Sequence, residues 1–295
     1  MKINKTILAT AIVAVALTSC ETKENSHRET QPFYMLNYVT NGTDENYSVG
    51  TSAISIEYIG ESASSLSIRE VVMSDDSKKS FDVTNLTNKS VTNGINFALS
   101  STSSASGMSD VNINLFGGTN FIQQWNLYYS FKSGNDVVYG MSCLQNFFSA
   151  TTVTSPVGSP YVTEEAAKNR YQISINEKDL NSDKRTLDLY VAGASFMKEM
   201  PAMNMVFKNI PFEIKDGKLT FAIDHLIPCV LKGENGNKEE PNDKYPISNL
   251  EGSGMIGDEI TLKYSCAPTI QGDNSVTFDV LSKLKFRLKK PTTQQ

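Results

Sequence analysis

Apolar and polar residues alternate with a period of two in segment after segment of this chain, and that period restricts its fold more than any other feature. Successive side chains of a strand point to opposite faces, so sustained alternation marks a strand with one buried side. The pattern appears at Ile54–Tyr58 (ISIEY), Val111–Leu115 (VNINL), Leu187–Val191 (LDLYV) and Met203–Phe207 (MNMVF). It returns at Leu219–Ile223 (LTFAI), Ile260–Tyr264 (ITLKY), Val276–Val280 (VTFDV) and Leu284–Leu288 (LKFRL). Turn signals fall between these segments: Asn41-Gly42, Asn93-Gly94, Ser133–Asp136 (SGND) and Asp216-Gly217. The last separates Phe212–Ile214 from Leu219–Ile223 and predicts a two-residue hairpin, because a type I′ turn needs positive φ at both central residues. Only Thr163–Asn169 (TEEAAKN) reads as helical, with Thr163 placed as an N-cap. The fold class expected is all-β, with two antiparallel β domains, each a sandwich or a barrel.

The first residues carry a different pattern. Lys2 and Lys5 precede an apolar run of about a dozen residues ending at Leu17. That run is too short for a bilayer, which needs ~20 apolar residues, and has the layout of a secretory signal. Leu17-Thr18-Ser19-Cys20 resembles the lipobox of bacterial lipoproteins. The resemblance implies that a diacylglyceryl group alkylates the Cys20 sulfur, that cleavage removes residues 1–19, and that the freed amine is open to acylation. Stable membrane attachment takes two chains or signals, which a lipobox cysteine supplies. Residues 20–31, polar and without periodicity, read as a lipidated tether, with His27 a solvated residue in it. Glu21 rather than Asp follows the cysteine, which in the sorting logic of such proteins favours the outer membrane. The expected location is therefore the cell envelope, by lipid anchor.

Loss of Lys2 and Lys5 leaves 25 basic against 32 acidic residues, a net charge of −7. Such a balance argues against nucleic-acid or anionic-membrane partners. About 275 residues then remain, enough for two ordinary domains. Thr151–Pro160, rich in Thr, Ser, Pro and Gly, is the expected division, giving an N-terminal β domain at 32–150 and a C-terminal one at 161–290. Phe81–Leu86 (FDVTNL) before Ile95–Leu99 echoes Tyr245–Leu250 (YPISNL) before Ile260–Tyr264, a pattern that two related halves or chance would both produce. Cys143, Cys229 and Cys266 allow at most one internal disulfide, against the alternative of small buried apolar residues. No CxxC spacing occurs, so zinc-finger and thioredoxin readings fall away.

Phe196–Pro211 (FMKEMPAMNMVFKNIP), with a Phe, then Met-Pro, then a strand, resembles calycin-like (lipocalin-like) lipoproteins of Bacteroidetes. Tyr245–Gly252 (YPISNLEG) before the Ile260 strand resembles the closing part of the same pattern. The resemblance spans roughly residues 170–288 and implies an antiparallel barrel and a compartment, but no reaction. The expanded Lys232–Asp243 segment and the large N-terminal half depart from the pattern.

Catalytic patterns are sparse. A Ser-His-Asp arrangement would have to draw on Asp224 and His225 with an unassigned serine, and His225 reads as a loop residue. Gly-x-Ser-x-Gly, His-Glu-x-x-His and phosphate-loop motifs do not occur. Scattered acids such as Glu213 and Asp224 form no pair of the kind glycoside hydrolysis uses. A non-enzymatic protein without cofactor or metal is expected. Among Met197, Met200, Met203 and Met205, the alternating Met203, Met205 and Phe207 share one strand face. Thioethers adapt to varied apolar ligands, and core filling is the competing account. Trp125, Tyr128 and Tyr129 form an aromatic cluster in which Trp125, Leu127 and Tyr129 share a face, and stacking of a sugar competes there with packing. The acidic run Glu234–Lys244 reads as a solvated loop rather than a calcium site. The expected function is binding of a small apolar or aromatic-stackable ligand, a glycan, or an envelope partner. The alternative is a fimbrial-type structural subunit, which would need an incomplete sheet or a removable strand.

Overall fold

The computed structural model describes residues 27–58, 64–99, 107–117, 125–155, 169–175, 185–196, 200–233, 238–269, 276–286 and 288. All regular structure among them is β-strand, and the chain divides between Ser142 and Cys143 into two compact units.

The first unit is a meander of β1 (His27–Thr40), β2 (Glu45–Tyr58), β3 (Ser64–Val72), β4 (Lys78–Val91), β5 (Gly94–Leu99), β6 (Ser109–Phe116), β7 (Asn126–Ser133) and β8 (Asp136–Met141). Each strand pairs with the next, and β8 returns to β1 through Leu36–Thr40 against Val137–Met141, closing the barrel. The inward residues make one core: Met35 and Val39 from β1, Ile54 and Ile56 from β2, Leu66 and Ile68 from β3, Tyr129 and Phe131 from β7. Burying each such side chain stabilises the barrel by ~1.5–3 kcal/mol.

The second unit contains β9 (Cys143–Thr154), β10 (Arg170–Ile175), β11 (Thr186–Ala194), β12 (Met203–Lys215), β13 (Lys218–Leu226), β14 (Cys229–Lys232), β15 (Lys238–Pro241), β16 (Ile247–Met255), β17 (Glu259–Cys266) and β18 (Phe278–Phe286). Eight of these close a second antiparallel ring, β9-β10-β11-β12-β13-β16-β17-β18, because β18 pairs back to β9 and β11 pairs with β12. The β14–β15 hairpin is a branch, attached where Val230 and Cys229 pair with Met205 and Val206. Its outer strand is short, charged at Lys238, Glu239 and Glu240, and ends in Pro241, the composition that discourages edge-to-edge pairing. Two up-and-down antiparallel barrels match the expected all-β, two-domain class and the lipocalin-like form expected of the second half.

Closing eight strands into a ring requires local coiling, and bulges supply it. Glu70, Asn85, Asp110, Asn209 and Asn249 all have positive φ, and each sits at a register shift between neighbouring strands. The Asn209 amide donates to Asp188 Oδ1 at 2.9 Å, giving the displaced backbone group a partner. The FDVTNL and YPISNL echo shares Asn-Leu, and its asparagines, Asn85 and Asn249, are the bulge residues, so the echo marks a common bulge device. Its strands β4–β5 and β16–β17 occupy different places in the two rings, fourth–fifth and sixth–seventh.

Four details differ from the sequence reading. Residues His27–Gln31 belong to β1, paired with Ile54–Tyr58, so the tether ends sooner than Gln31. The division falls at Ser142/Cys143 rather than Thr151–Pro160, because β9 is the first strand of the second ring and holds its last strand, β18. Val276–Val280 and Leu284–Leu288 are not two strands: Phe278–Val280 and Leu284–Phe286 both belong to the single strand β18. His225 lies on β13, opposite Ser248, rather than in a loop. The Asp216-Gly217 hairpin forms as the turn chemistry requires, with φ of +50° and +74°. Thr163 and the rest of the helical segment through residue 168 lie outside the described residues.

Candidate functional site

Cys20 and Met197 also lie outside the described residues. Trp125, Tyr128 and Tyr129 are close in sequence but share no surface. Tyr129 points into the first barrel with no exposed area, and its hydroxyl donates to Asn37 Oδ1 at 2.6 Å. Burial pushes that hydroxyl well above its ordinary pKa, so it stays protonated. Tyr128 projects from the opposite face of β7 and is 8% exposed, while Trp125 packs partly against the core at the start of the strand.

In the second barrel, Met203 is half-buried, and Met205 and Phe207 have no exposed surface. Phe207 meets Tyr264 edge-on with ring centroids 5.3 Å apart, and Phe196 meets the same ring at 6.2 Å. Met205 and Phe207 are therefore packed core residues, and Met200 is buried as well. The barrel wall also encloses a three-hydroxyl ring in which Thr151, Tyr171 and Ser282 lie 2.8–3.0 Å apart. Mutual hydrogen bonds satisfy these buried groups. Cys143, Cys229 and Cys266 are unbridged, the first and last buried. Burial pushes both buried thiols up to about 12.

Among the described residues, a concavity that could hold a ligand lies on the outside of the second barrel. Strand register lines up two outward rows across β12, β13, β16 and β17. One runs Ala222, Glu251, Lys263, with Pro211 beside it; the other runs Glu213, Thr220, Ser253, Thr261. The central positions are small, and Gly252 between them carries no side chain. The Phe221 ring lies against Gly252 from within, where a Cβ would come 2.0 Å from Phe221 Cζ. Ala222, Thr220, Gly252, Ser253 and Thr261 leave space between the longer Glu213, Glu251 and Lys263, in a groove of about 830 Å³. That volume falls within the ~300–1,000 Å³ range of small-ligand sites.

Arg185 borders the groove just before β11, and its carbonyl accepts a hydrogen bond from the Phe212 amide at 3.3 Å. The side chain is half-buried, and Nη1 is enclosed without a hydrogen-bond partner among the described residues. Lys263 and Glu251 approach at 3.5 Å across the wall, and Glu213 is exposed at the rim. The groove thus combines two cations, of which Arg185 is half-buried, with two carboxylates and three hydroxyls.

No protein-family model matches the chain, and the curated proteins include no match to it. The site therefore stands on geometry alone. These residues escape a sequence reading because Thr220, Glu251, Ser253, Thr261 and Lys263 look like an ordinary solvated strand face. Only the register of four strands brings them to one place.

Proposed function

We propose that this chain is a lipid-anchored, non-enzymatic protein of the cell envelope whose second, calycin-like barrel binds a small ligand in its outer groove. The groove of about 830 Å³ across β12, β13, β16 and β17 carries the binding part of the reading. The lipobox resemblance at Leu17–Cys20 supports the anchor, and Glu21 supports outer-membrane delivery. Recognition from outside suits a barrel whose Met205, Phe207 and Tyr264 fill space that a calycin would otherwise offer to a ligand. Closed rings also favour binding over a fimbrial-type subunit: β18 is paired on both sides, and a closed ring has no vacant strand position.

Two measurements test the parts separately. Cys20→Ser should move the protein out of the detergent phase, and unchanged partitioning would overturn the anchor. A thermal-shift panel of saccharides and fatty acids should raise the Tm of the wild type but not of Ala222→Trp, whose indole fills the groove. Ligands that shift both proteins equally would overturn the groove.

A further inference from the structure

We propose that the groove takes an acidic sugar, a hydroxyl-rich ligand whose carboxylate meets Arg185; this rests on the groove being the binding site. The first observation is Arg185 itself. A guanidinium cannot shed its charge in a protein, and a partly desolvated cation needs an opposing charge or acceptor. Nη1 is closed to solvent and has no acceptor among the described residues, so a groove ligand meets the guanidinium at its other donors, and the side chain lines the groove. The planar fork of donors fits a carboxylate through two parallel hydrogen bonds.

The rest of the lining restricts what the anion is attached to. Thr220, Ser253 and Thr261 present hydroxyls that both donate and accept. Glu213 and Glu251 accept only, so they favour a ligand rich in hydroxyl donors. The same carboxylates repel polyphosphate or densely sulfated ligands, whose negative charges are denser than the single carboxylate per ring of a polyuronate. Lys263 stands beside Glu251 at 3.5 Å and adds little unopposed positive charge. One fixed cation, two acceptor carboxylates and three hydroxyls match a uronic acid unit with neighbouring sugars better than a bare anion. The groove lies open along the barrel wall, so an oligosaccharide can enter without strand separation.

Calorimetric titration of the full chain tests the assignment with three probes: trigalacturonate, maltotriose and inorganic phosphate. Trigalacturonate should bind wild type, about tenfold or more tighter than maltotriose. Arg185→Ala should weaken trigalacturonate by about tenfold or more and maltotriose by much less, with Arg185→Lys in between for trigalacturonate. Thermal melts confirm that the variants fold. Ala222→Trp should abolish trigalacturonate binding with Arg185 intact. Equal binding of both trisaccharides, indifference to Arg185→Ala, displacement by phosphate alone, or no trigalacturonate binding would each overturn the acidic-sugar assignment. Trigalacturonate binding that Ala222→Trp removes and Arg185→Ala spares would overturn that assignment while keeping the groove.

Discussion

Gly140→Ala should destabilise the first barrel far beyond an ordinary glycine-to-alanine change. Gly140 pairs directly with Tyr129 across β7 and β8, and the tyrosine ring lies over the space where a side chain would stand. A Cβ there would come 2.1 Å from Tyr129 Cζ and 2.6 Å from its hydroxyl oxygen. Tyr129 is wholly buried, tied to Asn37 and 6.0 Å from the Phe131 ring centroid, so it has little room to retreat. Overpacking of this kind costs ~1–3 kcal/mol. Displacing the hydroxyl from Asn37 forfeits a buried hydrogen bond and leaves an unpaired acceptor, at ~1–3 kcal/mol more. Asn37 Nδ2 is already without a partner among the described residues, so losing the Tyr129 bond leaves a second polar atom of this buried side chain unpaired. A total of ~2–6 kcal/mol follows from those two ranges. Trp125, the chain's single tryptophan, packs against this core, so its fluorescence during urea unfolding reports the first barrel. The decisive comparison is a double-mutant cycle, because Gly140→Ala in a Tyr129→Ala background should cost much less. A single-mutant cost below ~0.5 kcal/mol, or simple additivity within ~0.3–0.5 kcal/mol, would refute the reasoning.

Three further outcomes follow from the same structure. Asn85→Val forces a branched side chain into positive φ at a bulge and should cost ~1–2 kcal/mol by the tryptophan assay; Asn85→Gly should be close to neutral, and equal costs would contradict the bulge argument. A thiol reagent at pH 8 should modify Cys229 first, while Cys143 and Cys266 react only after urea is added; rapid reaction of all three would contradict their burial. Between the ordinary thiol pKa of 9.0 and the folded value of about 12, the unfolded chain holds fewer protons, so stability should be level below pH 9 and fall as pH rises; a rising urea midpoint across that window would contradict the raised thiols.

Alternation and turn chemistry make the β class legible in the sequence alone. Asp216-Gly217 is the clearest case, since its turn follows from backbone preference. Ring closure is different in kind: β1 meets β8 and β9 meets β18 through pairings about 100 and 130 residues apart in the chain, and local patterns do not encode such partners. Bulges leave a partial trace, because Arg69-Glu70, Thr84-Asn85 and Lys208-Asn209 interrupt alternation with two polar residues in a row. Those doublets resemble turns unless strand pairing is already known. The domain boundary is misread for a related reason: the Thr- and Ser-rich end of β9 looks like a linker, yet Ser149 and Thr151 face inward and are buried. Met205 and Phe207 are legible as one strand face, but a buried face has the same pattern whether it lines a cavity or packs a core. Arg185 gives no signal, because its lack of a partner is a property of the folded surroundings.

The outer-groove reading is tested most directly by NMR mapping of the full chain with ¹³C-methyl methionine and ¹⁵N backbone labels during titration with trigalacturonate. Binding in the groove predicts shifts in the amides of Thr220, Ala222, Glu251 and Ser253, with the Met205 methyl signal unmoved. Shifts concentrated at Met205 and Phe207, with the groove amides silent, would place the ligand inside the barrel and contradict the outer-groove reading.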